Sequence, residues 1–409
     1  MNSRSTHLKR GFVVTLGLLT GISAFTIDVS LPAIPAMADA LATTLSRGQQ
    51  IVGVFMAGMA LGQVPAGLIS DRVGRLPVLY VGVVLFGTGA IAAAATSDIE
   101  AMLIARFVQG LGSSAAIVLS RAIVRDVASG KEAAKLMAVL MMIFTAAPVV
   151  APTIGAFIIS IWGWRAPFIL VAALGLVVLV GIRVYITETH APGPNVHPLR
   201  QFKSSVAEFF SHRQSIFGLL MIVLPPAGFM SVIPISSALI VETYGYSLRA
   251  FGFIFALAGL SILLGSLINR LLVTRFDMVQ LITLGVVLLG AAGAQFIAMM
   301  WLGQVPLWWL WGNLCLFFVS TTILMPNAVV IALDPLPKIA GMASSIVGTL
   351  QGFAGAAGAI CGAIIYDGSV RNSVLIVAMV SLATVTMFLL RPLIAPGPFV
   401  HHEDELARD

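Results

Sequence analysis

Twelve runs of about twenty apolar residues divide this sequence and constrain its fold more than any other feature. A helix of that length crosses the hydrocarbon core of a bilayer, where only helices and closed barrels satisfy the backbone hydrogen bonds. The sequence therefore predicts an all-α membrane protein with twelve transmembrane helices. The runs lie near residues 11–33, 50–69, 77–96, 101–120, 136–158, 165–186, 214–240, 250–269, 278–299, 306–332, 340–364 and 372–391.

Composition excludes most soluble classes of protein. Charged residues make up 10% of the chain, against roughly 25% in an average soluble domain. The net charge of +6 would suit a nucleic-acid partner. The basic residues instead lie in short loops between apolar runs, which is typical of membrane topology. We expect a lipid bilayer and no nucleic acid as a partner.

Lysine and arginine are concentrated in alternate loops. The N-terminal segment, the even-numbered loops and the C-terminal tail hold most of them. The odd-numbered loops hold four, Arg47, Arg165, Arg249 and Arg371. Because basic loops stay on the cytoplasmic side, both termini are predicted in the cytoplasm. The expected location is the bacterial inner membrane, as a multi-pass protein.

The arrangement of six runs, a polar stretch and six more runs predicts two six-helix halves. We place the N-terminal half at residues 1–186, a cytoplasmic linker at 187–213, the C-terminal half at 214–393 and a cytoplasmic tail at 394–409. Residues 67–72 (GLISDR) and 265–270 (GSLINR) repeat Gly, Asp or Asn, and Arg at one offset. This match in equivalent loops indicates duplication.

The linker carries an amphipathic pattern. Its apolar residues recur at helical spacing, and Arg200 and Lys203 lie between them. This pattern predicts a short helix on the inner leaflet that tethers the two halves. The apolar residues are Leu199, Phe202, Val206, Phe209 and Phe210.

Two charged residues lie well inside predicted spans: Asp28 among 17 acidic residues, and Arg106 among 23 basic ones. A charge inside a membrane is costly and by default indicates a functional site. Both lie about five residues from the outer end of their spans, roughly 8 Å deep. Their matching depth predicts one shared cavity, to which Ala24, Gln109 and Ser113 would contribute. The alternative is a structural ion pair between spans one and four.

Proton exchange is the chemistry that this pair suggests. An arginine keeps its proton in proteins, so Asp28 is the expected proton carrier and Arg106 its partner. In this scheme substrate arriving from the cytoplasm displaces the proton, and a new proton displaces the substrate on the other side. The energy source is then a proton gradient, and no cofactor or metal is expected.

A glycine-rich basic motif follows span two. Gly67, Asp71, Arg72, Gly74 and Arg75 combine residues for a tight turn with charges for an ion-pair network. We interpret the motif as a conformational gate. The alternative is a solvated basic turn that obeys the positive-inside rule.

Span five carries the candidate hinge. Pro148 and Pro152 interrupt the helical hydrogen bonds, and Gly155 permits a close helix crossing. A bent, tightly packed helix would suit a protein that opens alternately to each side of the membrane.

These residues resemble the major facilitator superfamily, and more narrowly the bacterial drug:proton antiporters of the bicyclomycin- and chloramphenicol-resistance group. The loop motif at 67–75 is similar to a superfamily-wide pattern. The segments that are similar to the exporters are 28–38, 106–112, 121–126, 151–155 and 341–351. The resemblance implies that Asp28 is the protonation site, Arg106 its assistant and Asp71 part of the gate.

Two departures from the resemblance affect expectations. Leu76 stands where a second basic residue is common, which implies a weaker loop network. Span one has one acid where some relatives have two. We therefore expect small neutral or monocationic drug-like amphiphiles to be exported more readily than dications.

Other functions remain open at this level. The same mechanism would serve a transporter for a metabolite such as an amino acid, or an importer. A non-transporting membrane receptor is a further alternative. No catalytic constellation is evident, so an enzyme is not expected. The His-rich tail at 401–405 is interpreted as solvated, and a monomer is expected.

Overall fold

The computed structural model describes residues 10–190, 198–302, 304–397 and 399, and these ranges contain helices without strands. Twelve helices are long and apolar enough to cross a membrane, which confirms the predicted fold class. They are α1 (Arg10–Ser30), α2 (Leu45–Val73), α3 (Arg75–Ala95), α4 (Ile99–Val127), α5 (Gly130–Trp162), α6 (Ala166–Tyr185), α7 (Arg213–Val232), α8 (Leu248–Leu272), α9 (Met278–Trp301), α10 (Leu307–Leu333), α11 (Ala340–Ile365) and α12 (Val370–Leu389).

Two helices depart from the predicted bounds at corresponding places in the halves. α1 continues through a 3₁₀ turn at Leu31–Ala33 into a short helix at Ile34–Ala40. The seventh span was predicted to reach residue 240, but α7 ends at Val232. Pro234 has no N–H to continue the hydrogen-bond ladder. The chain then forms two short turns, Ser236–Ala238 and Leu239–Thr243. We call residues 31–40 and 233–243 the two extensions.

Small residues set how closely the helices pack. A Cβ on Gly58 would lie 2.3 Å from the carbonyl oxygen of Phe107, and one on Gly110 would lie 2.0 Å from that of Phe55. Only glycine fits such contacts, so α2 and α4 approach backbone to backbone. This close pair forms the centre of the N-terminal half.

The two six-helix halves, α1–α6 and α7–α12, meet along two helix pairs. α2 packs against α11, where Gly53 faces Ile360. α5 packs against α8, where Gly259 faces Val149. The two extensions also contact each other across the halves. We call the end of the bundle that holds these extensions the extension end, and the end that holds the α2–α3 turn the basic end.

The linker forms a helix, as predicted, at Pro198–Ser211. Phe202, Val206 and Phe209 pack against the apolar core of the C-terminal half, and Phe209 is fully buried. Its apolar face thus packs against protein, and its position on the membrane surface stays a prediction. Phe210 lies off this face and is 45% exposed. The side chains of residues 198–201, including Leu199 and Arg200, lie outside the described residues.

Candidate functional site

A cavity of about 420 Å³ lies between the two halves. Helices from both halves line it: α1, α2, α4 and α5 from one, and α7, α8 and α10 from the other. Methionine and phenylalanine dominate the lining, and such side chains adapt to ligands of different shape. Examples are Met59, Met141, Met230, Met325, Phe229 and Phe318. We call it the central cavity.

Asp28 lines the central cavity. It is the one acidic residue among the residues that line this cavity. The residue is 7% exposed. Ala24 lies one helical turn away on the same lining surface, as predicted. Ser23 precedes Ala24 in the sequence. Its Oγ lies 2.5 Å from Ser113 Oγ, and this hydrogen bond fixes α1 against α4. The result is a carboxylate at the wall of an apolar space with few competing polar groups.

Arg106 is fully buried within the N-terminal half, between α2 and α6. Its guanidinium lies over the rings of Phe55 and Phe168, with centroids 4.6 and 5.7 Å away. Nη1 donates to Gln109 Oε1 at 2.7 Å, and Nε donates to the carbonyl of Ile51 at 3.4 Å. The aromatic faces and these acceptors replace an acidic partner.

The prediction of one shared cavity for Asp28 and Arg106 is wrong in geometry. Both lie on the extension side of the Ser23–Ser113 contact, so their depths are similar. Arg106 nevertheless faces α2 and α6 and does not line the central cavity, and the described residues contain no ion pair between the two. Spacing along two helices gives depth, but it does not give the direction that each side chain faces.

The predicted cavity residues on α4 are also displaced from the central cavity. Gln109 is fully buried, and its backbone packs against Gly89 of α3. Its side chain accepts the hydrogen bond from Arg106 instead of facing a ligand. Ser113 lies behind Ser23, which itself lines the cavity. The prediction that Gln109 and Ser113 line the cavity is therefore wrong.

The candidate hinge residues lie where α5 meets its neighbours. Pro148 lines the central cavity and contacts Gly259 of α8. A Cβ on Gly155 would lie 2.3 Å from the carbonyl oxygen of Val29, close to Asp28 in α1. Pro152 is buried in the same segment. The three residues thus join the wall of the cavity to both α1 and the opposite half, and their role as a hinge stays a prediction.

Arg75 is the centre of a polar network at the basic end. It forms ion pairs with Asp71 and with Asp126, where Nε lies 3.0 Å from Oδ2. Nη1 also donates to Ser70 Oγ at 2.8 Å. Gly74 precedes it with a φ of 97°, a conformation that favours glycine. These bonds join α2, α3 and α4 within the N-terminal half, whereas Arg72 is exposed without a recorded partner among the described residues.

Sequence reasoning missed Glu188, which follows α6. Its carboxylate accepts hydrogen bonds from the backbone N–H groups of Arg75 and Leu76 at 2.8 and 2.9 Å. Burial alone would raise the pKa of Glu188, but these backbone donors bring that pKa below its usual value. The residue thus caps α3 from 112 positions away along the chain. Only a contact between distant segments identifies it, so no local pattern could have found it.

A second cavity, of about 290 Å³, lies beside this network. Gly67, Asp71 and Arg75 line it from the N-terminal half. The first residues of α11 and Ser205 of the linker helix line it from the other side. We call it the basic-end cavity. The predicted gate motif therefore borders the junction of the two halves, although its recorded ion pairs stay within one half.

No group of three or more His, Cys, Asp or Glu side chains arranged to hold a metal occurs within residues 10–190, 198–302, 304–397 and 399. The His-rich tail at 401–405 lies outside these ranges.

Comparisons with known proteins agree with this architecture. The family model of the Major Facilitator Superfamily, which describes its sequence pattern, matches residues 16–359 of this chain. A bicyclomycin resistance protein homolog of Haemophilus influenzae is 28% identical, over 87% of this chain and 88% of its own. Multidrug resistance protein MdtL of Shewanella oneidensis is 30% identical, over 90% of this chain and 92% of its own. The crystal structure of a POT family transporter in complex with 5-aminolevulinic acid superimposes with a TM-score of 0.75 at 13% identity, covering 94% and 96%. That last likeness concerns the fold alone.

Proposed function

Because this multi-pass membrane protein belongs to the Major Facilitator Superfamily, we propose that it exports small amphiphilic drug-like molecules in exchange for protons. Asp28 at the wall of an apolar cavity between two halves carries the proposal. The names of its relatives, a bicyclomycin resistance protein homolog and multidrug resistance proteins, support drugs as the substrate class. The bacterial origin of these relatives supports the bacterial inner membrane as its location.

Asp28 is the proposed proton carrier. A carboxylate in an apolar space is most stable when its charge is neutralised, either by a proton or by a bound ligand. Ligand binding beside Asp28 and protonation of Asp28 would then exclude each other, which is the requirement for exchange. The proton gradient supplies the energy, and the proposal involves no cofactor and no catalysed reaction.

Alternating access would involve the two helix pairs that join the halves. The extensions contact each other at the extension end, and Thr153 Oγ1 donates to the carbonyl of Gly252 between α5 and α8 at 3.2 Å. In this proposal these contacts close the path from the central cavity toward the extension end. With the basic end in the cytoplasm, as the positive-inside rule favours, this arrangement faces inward. Pro148, Pro152 and Gly155 are the proposed hinge, and Asp71 with Arg75 the proposed gate.

A metabolite transporter is the second candidate for the same site. The lining favours drug-like amphiphiles, because methionine and phenylalanine offer few hydrogen bonds to an amino acid or a sugar. A metabolite site would need several fixed polar groups, and the central cavity presents Asp28, three threonines and two serines among its lining residues.

Substrate-induced proton release from detergent-purified protein tests the proposal. A panel of amphiphilic drugs is added to weakly buffered protein while pH is recorded, with Asp28→Asn as the central variant. Asp39→Asn is the matched control, since Asp39 lies on the extension of α1 and is exposed. We expect release from the wild type and from Asp39→Asn, and none from Asp28→Asn.

Each outcome of this experiment has a definite meaning. Release that survives in Asp28→Asn would remove Asp28 as the coupled site. No release from folded wild-type protein with any drug would favour the metabolite transporter or a receptor. Drug binding without release, measured by fluorescence in the same samples, would show a binding protein that is not coupled to protons.

A further inference from the structure

Two arginines on α4 stand without an acidic partner in the described residues. Arg121 and Arg125 lie one helical turn apart, and their positive charges repel each other. The nearest candidates for partners are engaged elsewhere: Arg75 pairs with both Asp71 and Asp126. Asp126 also accepts from Thr189 Oγ1 at 2.9 Å. The network that fixes the basic end therefore leaves two guanidinium groups uncompensated.

These two arginines lie between the two cavities. Ile117 lines the central cavity, and Arg121 follows it by one turn of α4, a rise of about 6 Å. Arg125 lines the basic-end cavity and follows by another turn. Its Nη1 would lie 3.2 Å from a Cβ on Gly341, in the first turn of α11. Both side chains are exposed, although α4 is among the most buried helices. A solute that moved between the cavities along α4 would pass this pair.

The central cavity is therefore bordered by charges of opposite sign. Asp28 lies about 7.5 Å beyond the Ser23–Ser113 contact toward the extension end, taken at 1.5 Å of rise per residue. Arg121 lies about 12 Å from the same contact toward the basic end. Roughly 20 Å of mostly apolar wall separates the acid from the arginine pair.

From this arrangement we propose that Arg121 and Arg125 bind the negative group of amphiphilic substrates whose apolar body occupies the central cavity. The substrate class is then zwitterionic amphiphiles that carry a carboxylate, sulfonate or phosphate, since the exchange proposed above requires a positive group on the substrate to neutralise Asp28. This inference rests on the proposed export function and narrows its substrates. It modifies the sequence-based expectation of neutral or monocationic compounds, because a cation would pass two unpaired positive charges.

Arginine suits this task better than lysine would. Its planar guanidinium offers paired donors that match a carboxylate or a phosphate, and it stays charged when solvent access falls. The first residues of α11 also line the basic-end cavity, at the end of the helix where its dipole favours negative charge. The two sources of positive potential come from different halves, so a bound anion would bridge them.

Equilibrium binding of three matched fluorescent probes tests the inference. Dansyl-glycine carries a carboxylate, its methyl ester is neutral, and a dansyl amide with a trimethylammonium group is cationic. For the wild type we expect dansyl-glycine to bind about tenfold more tightly than the cation, from two partly exposed ion pairs. In the double variant Arg121→Gln/Arg125→Gln the acid should lose about tenfold in affinity, and the ester less than twofold.

Controls separate charge at this site from general effects. Arg183→Gln removes a positive charge from the exposed last turn of α6 at the same end of the bundle and should leave all three affinities unchanged. Arg121→Lys/Arg125→Lys keeps the charge and should retain most of the preference for the acid. If the double variant does not fold, the wild type is measured at increasing salt concentration. Salt must then weaken the binding of dansyl-glycine and leave the binding of the ester unchanged.

Equal affinities of the wild type for all three probes would overturn the inference, and so would an equal loss of acid and ester in the folded double variant. A phospholipid headgroup shares the chemistry of a soluble anion. Nanodiscs of phosphatidylcholine with and without phosphatidylglycerol distinguish them, since displacement of dansyl-glycine by phosphatidylglycerol assigns the site to lipid. Failure of the export function would appear instead as absent proton release, with the binding pattern intact.

Discussion

Replacement of Arg75 by glutamine should destabilise the N-terminal half, because this one side chain links three elements of the basic end. The arginine side chain is 10% exposed and bonds Asp71, Asp126 and Ser70. Arg75→Gln leaves two carboxylates without their cation. Loss of one partner of a buried ion pair costs about 3–5 kcal/mol.

The exposed fractions of the two acids reduce this estimate. The side chain of Asp71 is 42% exposed and that of Asp126 is 17% exposed, so water solvates the first and partly solvates the second. Asp126 also keeps its hydrogen bond from Thr189. We therefore expect a loss of about 2–3 kcal/mol. For a six-helix half that unfolds as a unit, this corresponds to roughly 4–12 °C in Tm.

Arg72→Gln provides a matched control, since it removes the same charge from the same motif. Arg72 is exposed and has no recorded partner among the described residues. Thermal unfolding of the two variants in one detergent should show a shift of several degrees for Arg75→Gln and about one degree or less for Arg72→Gln. Equal shifts would refute the reasoning, because they would trace the effect to net charge and not to the network. The double variant Arg75→Gln/Asp126→Asn should recover part of the loss.

Three further predictions follow from the structure. Glu188→Gln should lower stability by about 1 kcal/mol at neutral pH. Because the pKa of Glu188 is lowered in the folded protein, the difference in Tm from the wild type should shrink as pH falls below 4.5 and vanish once pH is below the folded-state pKa. Gly358→Ala should cost about 1–3 kcal/mol, since its Cβ would lie 2.1 Å from the carbonyl oxygen of Ala227, whereas Gly87→Ala, with nothing within 4 Å, should be neutral or slightly stabilising in the same thermal assay. Dications should be exported less well than neutral amphiphiles in vesicle uptake assays, because one acid lines the central cavity; equal rates would contradict this.

The sequence predicted the helices well because each apolar run must bury its own backbone hydrogen bonds in lipid. The long helices therefore follow local composition, and each of the twelve predicted spans overlaps one of the twelve long apolar helices. The seventh span differs because the apolar run continues past Pro234, whereas the helix does not. Proline has no N–H to continue the helical hydrogen bonds, so the helix ends at Val232. Hydropathy alone does not distinguish an apolar helix from an apolar turn.

The candidate site was less predictable, because its geometry depends on rotation about helix axes. Asp28 and Ala24 both line the central cavity, since they lie on one face of α1, and their roles there stay predictions. Gln109 shares a face with Arg106 on α4, but that face turns toward α2 and α3. Glu188 was missed because it acts on α3 across a contact between distant segments.

The separation of Asp28 from Arg106 bears on how exchange would work. If the two formed an ion pair, the site would already be neutral when empty, and a proton would have to compete with a fixed cation. Arg106 instead bonds Gln109 and the carbonyl of Ile51 and lies over two aromatic rings, while its Nη2 has no hydrogen-bond partner among the described residues. Asp28 thus faces the cavity without a fixed counter-charge, so an empty, deprotonated site is the least stable state. In the exchange that we propose, a proton or a substrate fills it before the halves rearrange, and this requirement would couple the two fluxes.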